Sequence, residues 1–330
     1  MYITKLIEGR KLYAYDVNSL YPFVMKEYMY PIGTPTFFKG DILAYSNGVE
    51  AFGFFYCNII APKYMLHPIL LTSYNFRTIA PLGSWEGMYF SEELKEAKKW
   101  GYQIEVLWGY TFNKGYIFRD YIDQLYNLRL NYPKSDPMNM IAKLLLNSLY
   151  GKFGMAPDLP TTVIIKKETY SDLINKIPGG ESSITLIEEI GTNHILVQFY
   201  TTDPHSDLEL EPKQKSKGFP SVNIAIASAV TAYARIHMSK FKNRTDLPNL
   251  YYTDTDSLYF DGPLPEHYVN PTELGALKLE GIYDQAVFLA PKVYALKNDN
   301  ELIIKIKGVK KEVIKEHIAF ENLGSLLEQS

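Results

Sequence analysis

Apolar and polar positions alternate with two different periods along this chain, and the switches between them mark its elements. Residues 11–16 alternate with the period of a strand, and 19–28 repeat at helical spacing. Residues 33–110 read as strand-rich, with aromatic clusters at 52–56 and 103–110. Between those clusters 91–100 predicts a helix, with Ser91 as N-cap, Glu92 and Glu93 in the first turn, Lys98 and Lys99 in the last, and Gly101 as stop. A helical block over 115–130 breaks near Asn131-Tyr132-Pro133, and a further helix covers 136–153. Residues 155–217 are rich in Pro, Gly and charge with little periodicity, which marks an insertion. Residues 223–241 predict a long apolar helix carrying Arg235 and His237. The runs 250–252 and 258–260 flank a short polar turn and predict a β-hairpin. A mixed strand region to Lys307 and a short helix follow. No internal repeat is present. The pattern is α+β, with several subdomains on one central sheet.

Composition narrows this picture without changing it. At 330 residues the chain exceeds what one core usually covers, so two or three subdomains are expected. Its 46% hydrophobic and 22% charged residues are ordinary for a globular protein. Cys57 is the only cysteine, which excludes an intrachain disulfide and any cysteine-cluster metal site. No apolar run reaches transmembrane length, and the first residues carry neither an apolar signal core nor an Arg/Ser-rich transit pattern. The formal net charge of −3 does not advertise a nucleic-acid binder. The average hides one basic stretch. Residues 292–311 hold Lys292, Lys297, Lys305, Lys307, Lys310 and Lys311 against Asp299 and Glu301. A solvated charged face is the competing reading of those lysines.

The candidate chemistry begins at the hairpin tip. Tyr251-Tyr252-Thr253-Asp254-Thr255-Asp256-Ser257 puts two carboxylates one residue apart, where they repel each other. A cation relieves that repulsion, and Mg²⁺ is the first candidate. An acidic turn is the competing reading. Two-metal phosphoryl transfer needs carboxylates converging from different elements. Asp16, at the end of the 11–16 strand, is the third candidate, with a helix cap as its alternative role. A second constellation lies in 143–151, where Lys143, Asn147 and Tyr150 share one helix face and the opposite face is apolar. An ammonium beside an aromatic ring suits a triphosphate and a base or sugar.

Three strings, in order, resemble motifs A, B and C of family B DNA polymerases, most closely the protein-primed branch of phages, linear mitochondrial plasmids and related viruses. Asp16-Val17-Asn18-Ser19-Leu20-Tyr21-Pro22 resembles motif A. Lys143-Leu144-Leu145-Leu146-Asn147-Ser148-Leu149-Tyr150-Gly151 resembles motif B, and Tyr252-Thr253-Asp254-Thr255-Asp256-Ser257 resembles motif C. Lys292-Val293-Tyr294 resembles the Lys-x-Tyr motif that follows, and 305–309 the segment after it. The resemblance runs from about Tyr13 to about Leu323.

The resemblance implies a DNA-directed DNA polymerase. Its fold would be a palm of antiparallel sheet with helices, short helical fingers, insertions and a truncated thumb. It places palm and motif A in 1–30, palm and an insertion in 31–112, fingers with motif B in 113–154, and a second insertion in 155–217. Palm with motif C would fill 218–290, and the Lys-x-Tyr segment with the start of the thumb 291–330. Asp16 and Asp256 would be the main ligands of two Mg²⁺ ions, for which Mn²⁺ can substitute. Asp254 would assist, and the Val17 carbonyl would ligate the nucleotide-bound metal. Ser19, Leu20, Tyr21, Arg129, Lys143, Asn147 and Tyr150 would bind the dNTP, with Tyr21 excluding a 2′-hydroxyl. Lys292, Tyr294, Lys305 and Lys307 would hold DNA near the primer end. Partners would be primer-template DNA, dNTPs and a terminal protein primer, and no membrane. Location would be a mitochondrion, for an organelle- or plasmid-encoded protein, or a virus and its host cell.

Fifteen residues precede Asp16, which leaves no room for the exonuclease domain of longer relatives, so proofreading by this chain is not expected. A non-catalytic DNA-binding remnant is the alternative reading. Another two-metal enzyme such as a nuclease is a third, disfavoured by the face of Lys143, Asn147 and Tyr150.

Overall fold

The computed structural model describes residues 4–45, 51–155, 160–200 and 222–328. In chain order the first elements are β1 (Thr4–Lys5), β2 (Leu12–Val17), α1 (Leu20–Glu27), β3 (Tyr30–Lys39), α2 (Ile42–Tyr45) and β4 (Gly53–Ile60). Then come β5 (Thr72–Tyr74), β6 (Arg77–Ile79), β7 (Ser84–Phe90), α3 (Ser91–Lys99), β8 (Gln103–Gly115), α4 (Arg119–Asn131) and α5 (Pro137–Phe153). β9 (Thr161–Lys166), α6 (Tyr170–Ile174), β10 (Ile184–Ile190), β11 (His194–Phe199) and α7 (Ile224–Ser239) follow. The chain continues through β12 (Leu250–Asp254), β13 (Ser257–Phe260), β14 (Leu277–Tyr283), β15 (Gln285–Ala290), β16 (Val293–Lys297) and β17 (Leu302–Ile306). Two short helices, α8 (Lys311–His317) and α9 (Phe320–Glu328), come last, where the sequence predicted one.

The chain divides into two compact units, one of Met1–Ser148 with Ala225–Ser330 and one of Leu149–Ile224. In the first, four antiparallel strands in the order β12-β13-β2-β14 build the sheet that carries the candidate site. β2 sits inside it, flanked by β13 and β14, and Leu12, Ala14, Tyr15 and Val17 are all buried. Leu12 and Ala14 join Tyr252, Tyr259, Tyr283 and Phe288 in one apolar cluster that continues into the sheet β1-β15-β16-β17. A further sheet, β3-β8-β4-β7, packs a separate core of Phe55, Ile59, Leu70, Leu94 and Val106.

α7 is the apolar helix expected there. Its alanines at 229, 232 and 234 are buried, and small side chains let neighbouring backbone approach closely. Tyr233 stacks on Tyr28 at 4.2 Å and donates its hydroxyl to the Met29 carbonyl.

Three expectations are corrected. Ser91 is the first residue of α3 rather than its cap. Its hydroxyl accepts the Gly53 N–H instead, at 3.1 Å, a long-range partner that the local pattern does not encode. The helical block expected from 115 begins at Arg119, because β8 runs on to Gly115 to pair with Tyr30. The stretch 155–217 is not featureless. Its described part holds the antiparallel sheet β10-β11-β9 around Ile177, Ile195, Val197 and Phe199. One face of that sheet is exposed, including Ile164 and Leu186, so the apolar pattern lacks the contrast that marks a half-buried strand. Residues 156–159 and 201–217 of that expectation lie outside the described residues.

Candidate active site

Asp16 and Asp256 are brought together by sheet register. Ser257 pairs with Asp16 across β13 and β2, and Asp254 pairs with Ser257 across the hairpin. Thr255 takes a left-handed φ of 55° to make the tight turn. The turn is then fastened to β2, since the Asp256 carbonyl accepts the Val17 N–H at 2.9 Å. Both carboxylates are half-buried. Burial pushes the Asp16 pKa up to about 7, with the Asp256 and Glu280 charges adding and Lys278 opposing. Burial also raises Asp256, its own backbone N–H opposes, Asp254 adds and Lys292 opposes. Two partly desolvated acids that disfavour each other's charge are a site short of positive charge.

Asp254 is engaged elsewhere. Its Oδ2 lies 2.5 Å from Lys292 Nζ. Among the described residues no three His, Cys, Asp or Glu side chains gather as a metal cluster. Asp16 in β2 and Asp256 in the turn between β12 and β13 offer two further carboxylates, with the Val17 backbone beside them. That set suits Mg²⁺, which commonly takes one or two carboxylates and completes its shell with water and substrate phosphates. Residues fitted to hold a divalent ion are therefore Asp16 and Asp256.

The turn after β2 presents the rest of motif A. Ser19 adopts a left-handed φ of 52° and leads into α1, and Arg129 Nη1 of α4 donates to Ser19 Oγ at 3.1 Å. Leu20 is buried in the core and Tyr21 is half-buried. Tyr21 lies within electrostatic reach of Arg235, whose guanidinium forms a bidentate pair with Glu93 at 2.5 and 2.9 Å.

α4 and α5 are tied together at three points. Asn139 Nδ2 donates to the Arg129 and Tyr132 carbonyls at 2.8 and 2.9 Å, and Tyr121 donates to the Leu145 carbonyl at 3.2 Å. Lys143 and Asn147 are exposed on α5. The face opposite them is less buried than its composition suggests. Ala142 and Leu146 are covered, whereas Met140, Ile141, Leu144 and Leu145 are exposed. Tyr150, further along the same helix, falls in the second unit.

Tyr294 belongs to an aromatic cluster with Tyr252, Tyr259 and Phe288, and its hydroxyl lies 3.3 Å from that of Tyr259. Lys305, its cross-strand neighbour, and Lys307 are exposed. Of the basic stretch, Lys292 pairs with Asp254 and Lys297 with Glu321. No local pattern in the chain connects Glu93 to Arg235, or His237 to motif A. The available signal was a charged and a titratable residue in an otherwise apolar helix.

The family described as DNA polymerase type B, organellar and viral, matches residues 1–247. The chain belongs to that family. Two fungal relatives, each named "Probable DNA polymerase", are 38% identical over 300 residues in Neurospora intermedia and 40% over 331 residues in Podospora anserina. They cover 87% and 91% of this chain, which spans 29% and 26% of theirs. The DNA polymerase of Bacillus phage phi29 is 25% identical over 297 residues, covering 85% of this chain and 44% of its own. The solved phi29 polymerase in complex with primer-template DNA and incoming nucleotide substrates superposes with a TM-score of 0.66 at 20% identity. It covers 97% of this chain and 53% of that one, and shows a shared fold. This type B chain therefore spans about a quarter to half of the length of the polymerases it matches.

Proposed function

We propose that this chain carries the nucleotidyl-transfer site of a DNA-directed DNA polymerase. The observation that carries the reading is the Asp16 and Asp256 pair, two half-buried carboxylates, one from β2 and one from the β12–β13 turn, with raised pKa values. Family membership, the motif order and the polymerase relatives support it.

In this reading a primer 3′-hydroxyl attacks the α-phosphate of a dNTP and pyrophosphate leaves. Asp16, Asp256 and the Val17 carbonyl would hold two divalent ions, Mg²⁺ or in its place Mn²⁺. When bound, those ions activate the attacking oxygen and neutralise the triphosphate. The chain's own residues bind and orient. Lys143 and Arg129 grip the triphosphate as point charge and fork. Ser19 and Leu20 shape the turn beneath it, and the Tyr21 ring excludes a 2′-hydroxyl. Asn147 and Tyr150 border the nascent pair. Lys292, Tyr294, Lys305 and Lys307 hold the primer strand, and Asp254 acts by orienting Lys292. Positioning and charge stabilisation supply the rate, so no histidine base is needed.

The domain roles follow the motifs: palm in 1–30 and 218–290, palm and an insertion in 31–112, fingers in 113–154, a second insertion in 155–217, and the Lys-x-Tyr segment with the start of the thumb in 291–330. Partners are primer-template DNA, dNTPs and a terminal protein primer. The fungal and phage relatives point to an organellar, plasmid or viral replicon.

Primer extension with Mg²⁺ tests this. Wild-type protein is expected to add dNTPs, and Asp256→Asn to abolish addition with the fold intact by circular dichroism. Retained activity in Asp256→Asn rejects the assignment. Primed-DNA binding without extension by the wild type identifies a non-catalytic remnant.

A further inference from the structure

His237 of α7 is 6% exposed and sits behind motif A. Its Nε2 lies 3.0 Å from the Gly275 carbonyl oxygen, so the ring donates from Nε2. Nδ1 is then an acceptor, buried and without a hydrogen-bond partner. An unpaired buried acceptor is costly. An apolar side chain of similar size would avoid that cost, so packing alone does not account for the imidazole. Burial drives the ring's pKa down to about 4, with the Lys240 charge adding and the Gly275 bond opposing, which keeps the ring neutral.

The carbonyl it holds belongs to a loop bonded to motif A at four points. The Gly275 N–H donates to the Asn18 carbonyl and the Asn18 N–H to the Ala276 carbonyl, both at 2.9 Å. Asn18 Nδ2 donates to the Asn270 and Glu273 carbonyls at 2.7 and 3.0 Å. Gly275 has a φ of +83°, and a Cβ there would lie 2.2 Å from the Phe23 ring. Phe23 in turn packs on the His237 ring at 4.8 Å. The imidazole, the glycine and Phe23 thus occupy adjoining space with no slack. Asn18 directly follows Val17 and precedes the Ser19 turn into α1, where Tyr21 lies.

We infer that His237 is a positioning residue for nucleotidyl transfer: its donor fixes the 270–276 loop at Gly275, and that loop fixes the Val17 carbonyl and Tyr21 through Asn18. The inference rests on the roles proposed above for Val17 and Tyr21. His237 acts through Gly275 and is not a catalytic residue.

The test compares His237→Leu, which keeps bulk and removes the donor, with His237→Gln, whose Nε2 restores a donor near the same point. His237→Asn, smaller and still polar, withdraws the donor should the leucine variant fail to fold. Hydrogen–deuterium exchange on the full-length protein reads the amides of 15–23 and 270–277, and nucleotide addition reads dNTP KM, kcat and ribonucleotide selection. Removing the donor is expected to speed exchange in those two segments roughly five- to ten-fold, the effect of one lost buried hydrogen bond. The β3-β8-β4-β7 sheet should be unaffected. dNTP KM and the ribonucleotide fraction should rise together, and His237→Gln should bring all three back toward wild type. Unchanged exchange in 15–23, or uniform loss of protection with unchanged ribonucleotide selection, overturns the inference. The exchange measurement needs no catalysis. A wild type that adds no nucleotide therefore defeats the proposed function, while the exchange result still decides whether His237 holds the loop.

Discussion

Lys292 Nζ lies 2.5 Å from Asp254 Oδ2, joining residues 38 positions apart in the chain. The pair is framed by backbone. Lys292 takes a left-handed φ of 62°, and its N–H donates to the Tyr252 hydroxyl at 3.0 Å. The lysine side chain is 54% exposed and the aspartate 28%, so the pair contributes at most about 1 kcal/mol to stability. Its value is therefore geometric. One oxygen of the first hairpin acid is held by the ammonium, while its charge still acts on Asp256.

That arrangement separates the two hairpin acids by experiment. Asp254→Asn is expected to leave the half-saturating Mg²⁺ concentration within about two-fold of wild type, and to weaken primer-template binding about ten-fold. Lys292→Met is expected to give the same binding defect. Titrating Mg²⁺ and DNA separately in nucleotide-addition assays checks both. A large shift in Mg²⁺ requirement for Asp254→Asn would make Asp254 a direct ligand.

A pH dependence follows from Asp16. Its folded pKa, about 7, is above the ordinary 3.8, so folding disfavours its ionised form. Its contribution to metal-free stability is fully present below about pH 4 and is lost as pH rises toward 7. The melting temperature of wild type relative to Asp16→Asn should therefore fall across that window without metal. Added Mg²⁺, which binds the ionised pair, should reverse the trend near neutrality. A flat metal-free difference between the two proteins would contradict the assignment.

The Glu93 and Arg235 pair joins α3, in the expected insertion, to α7. Glu93 is 6% exposed and Arg235 32%, so removing one charge strands the other in a partly dry setting. Glu93→Gln is expected to cost about 2–4 kcal/mol in urea denaturation, at the lower end because Arg235 retains some water. The double substitution Glu93→Leu with Arg235→Leu should recover part of that loss. A cost under about 0.5 kcal/mol for Glu93→Gln would mean the pair is solvent-screened.

Tyr21 tests sugar selection directly. Tyr21→Val is expected to raise ribonucleotide relative to deoxynucleotide incorporation by about two orders of magnitude, as loss of a steric block does, with little change in kcat for dNTPs. The ratio of kcat/KM values for matched nucleotides measures it, and an unchanged ratio rejects the sugar-gate role.

The helix and strand readings around the site were legible because their signals are local. The run 250–260 announces a hairpin by two apolar runs and a polar turn, and β12 and β13 are that hairpin. The expected 223–241 helix was equally clear, and α7 fills Ile224–Ser239. The Ser91 position and the start of α4 depart from the local pattern because long-range partners, Gly53 and Tyr30, decide those boundaries.

By itself the sequence determined the family, the order of the acidic and basic motifs and the α+β pattern, since each is written in residues within one turn or one strand of each other. Tertiary structure decided which charges meet. Asp16 reaches Asp256 through strand register, Asp254 is drawn to Lys292, and Asn18 is held by a loop about 250 residues later in the chain. No periodicity encodes these pairings. They depend on how sheets and helices pack, where burial raises the energy of every unpaired charge and leaves few arrangements that relieve it.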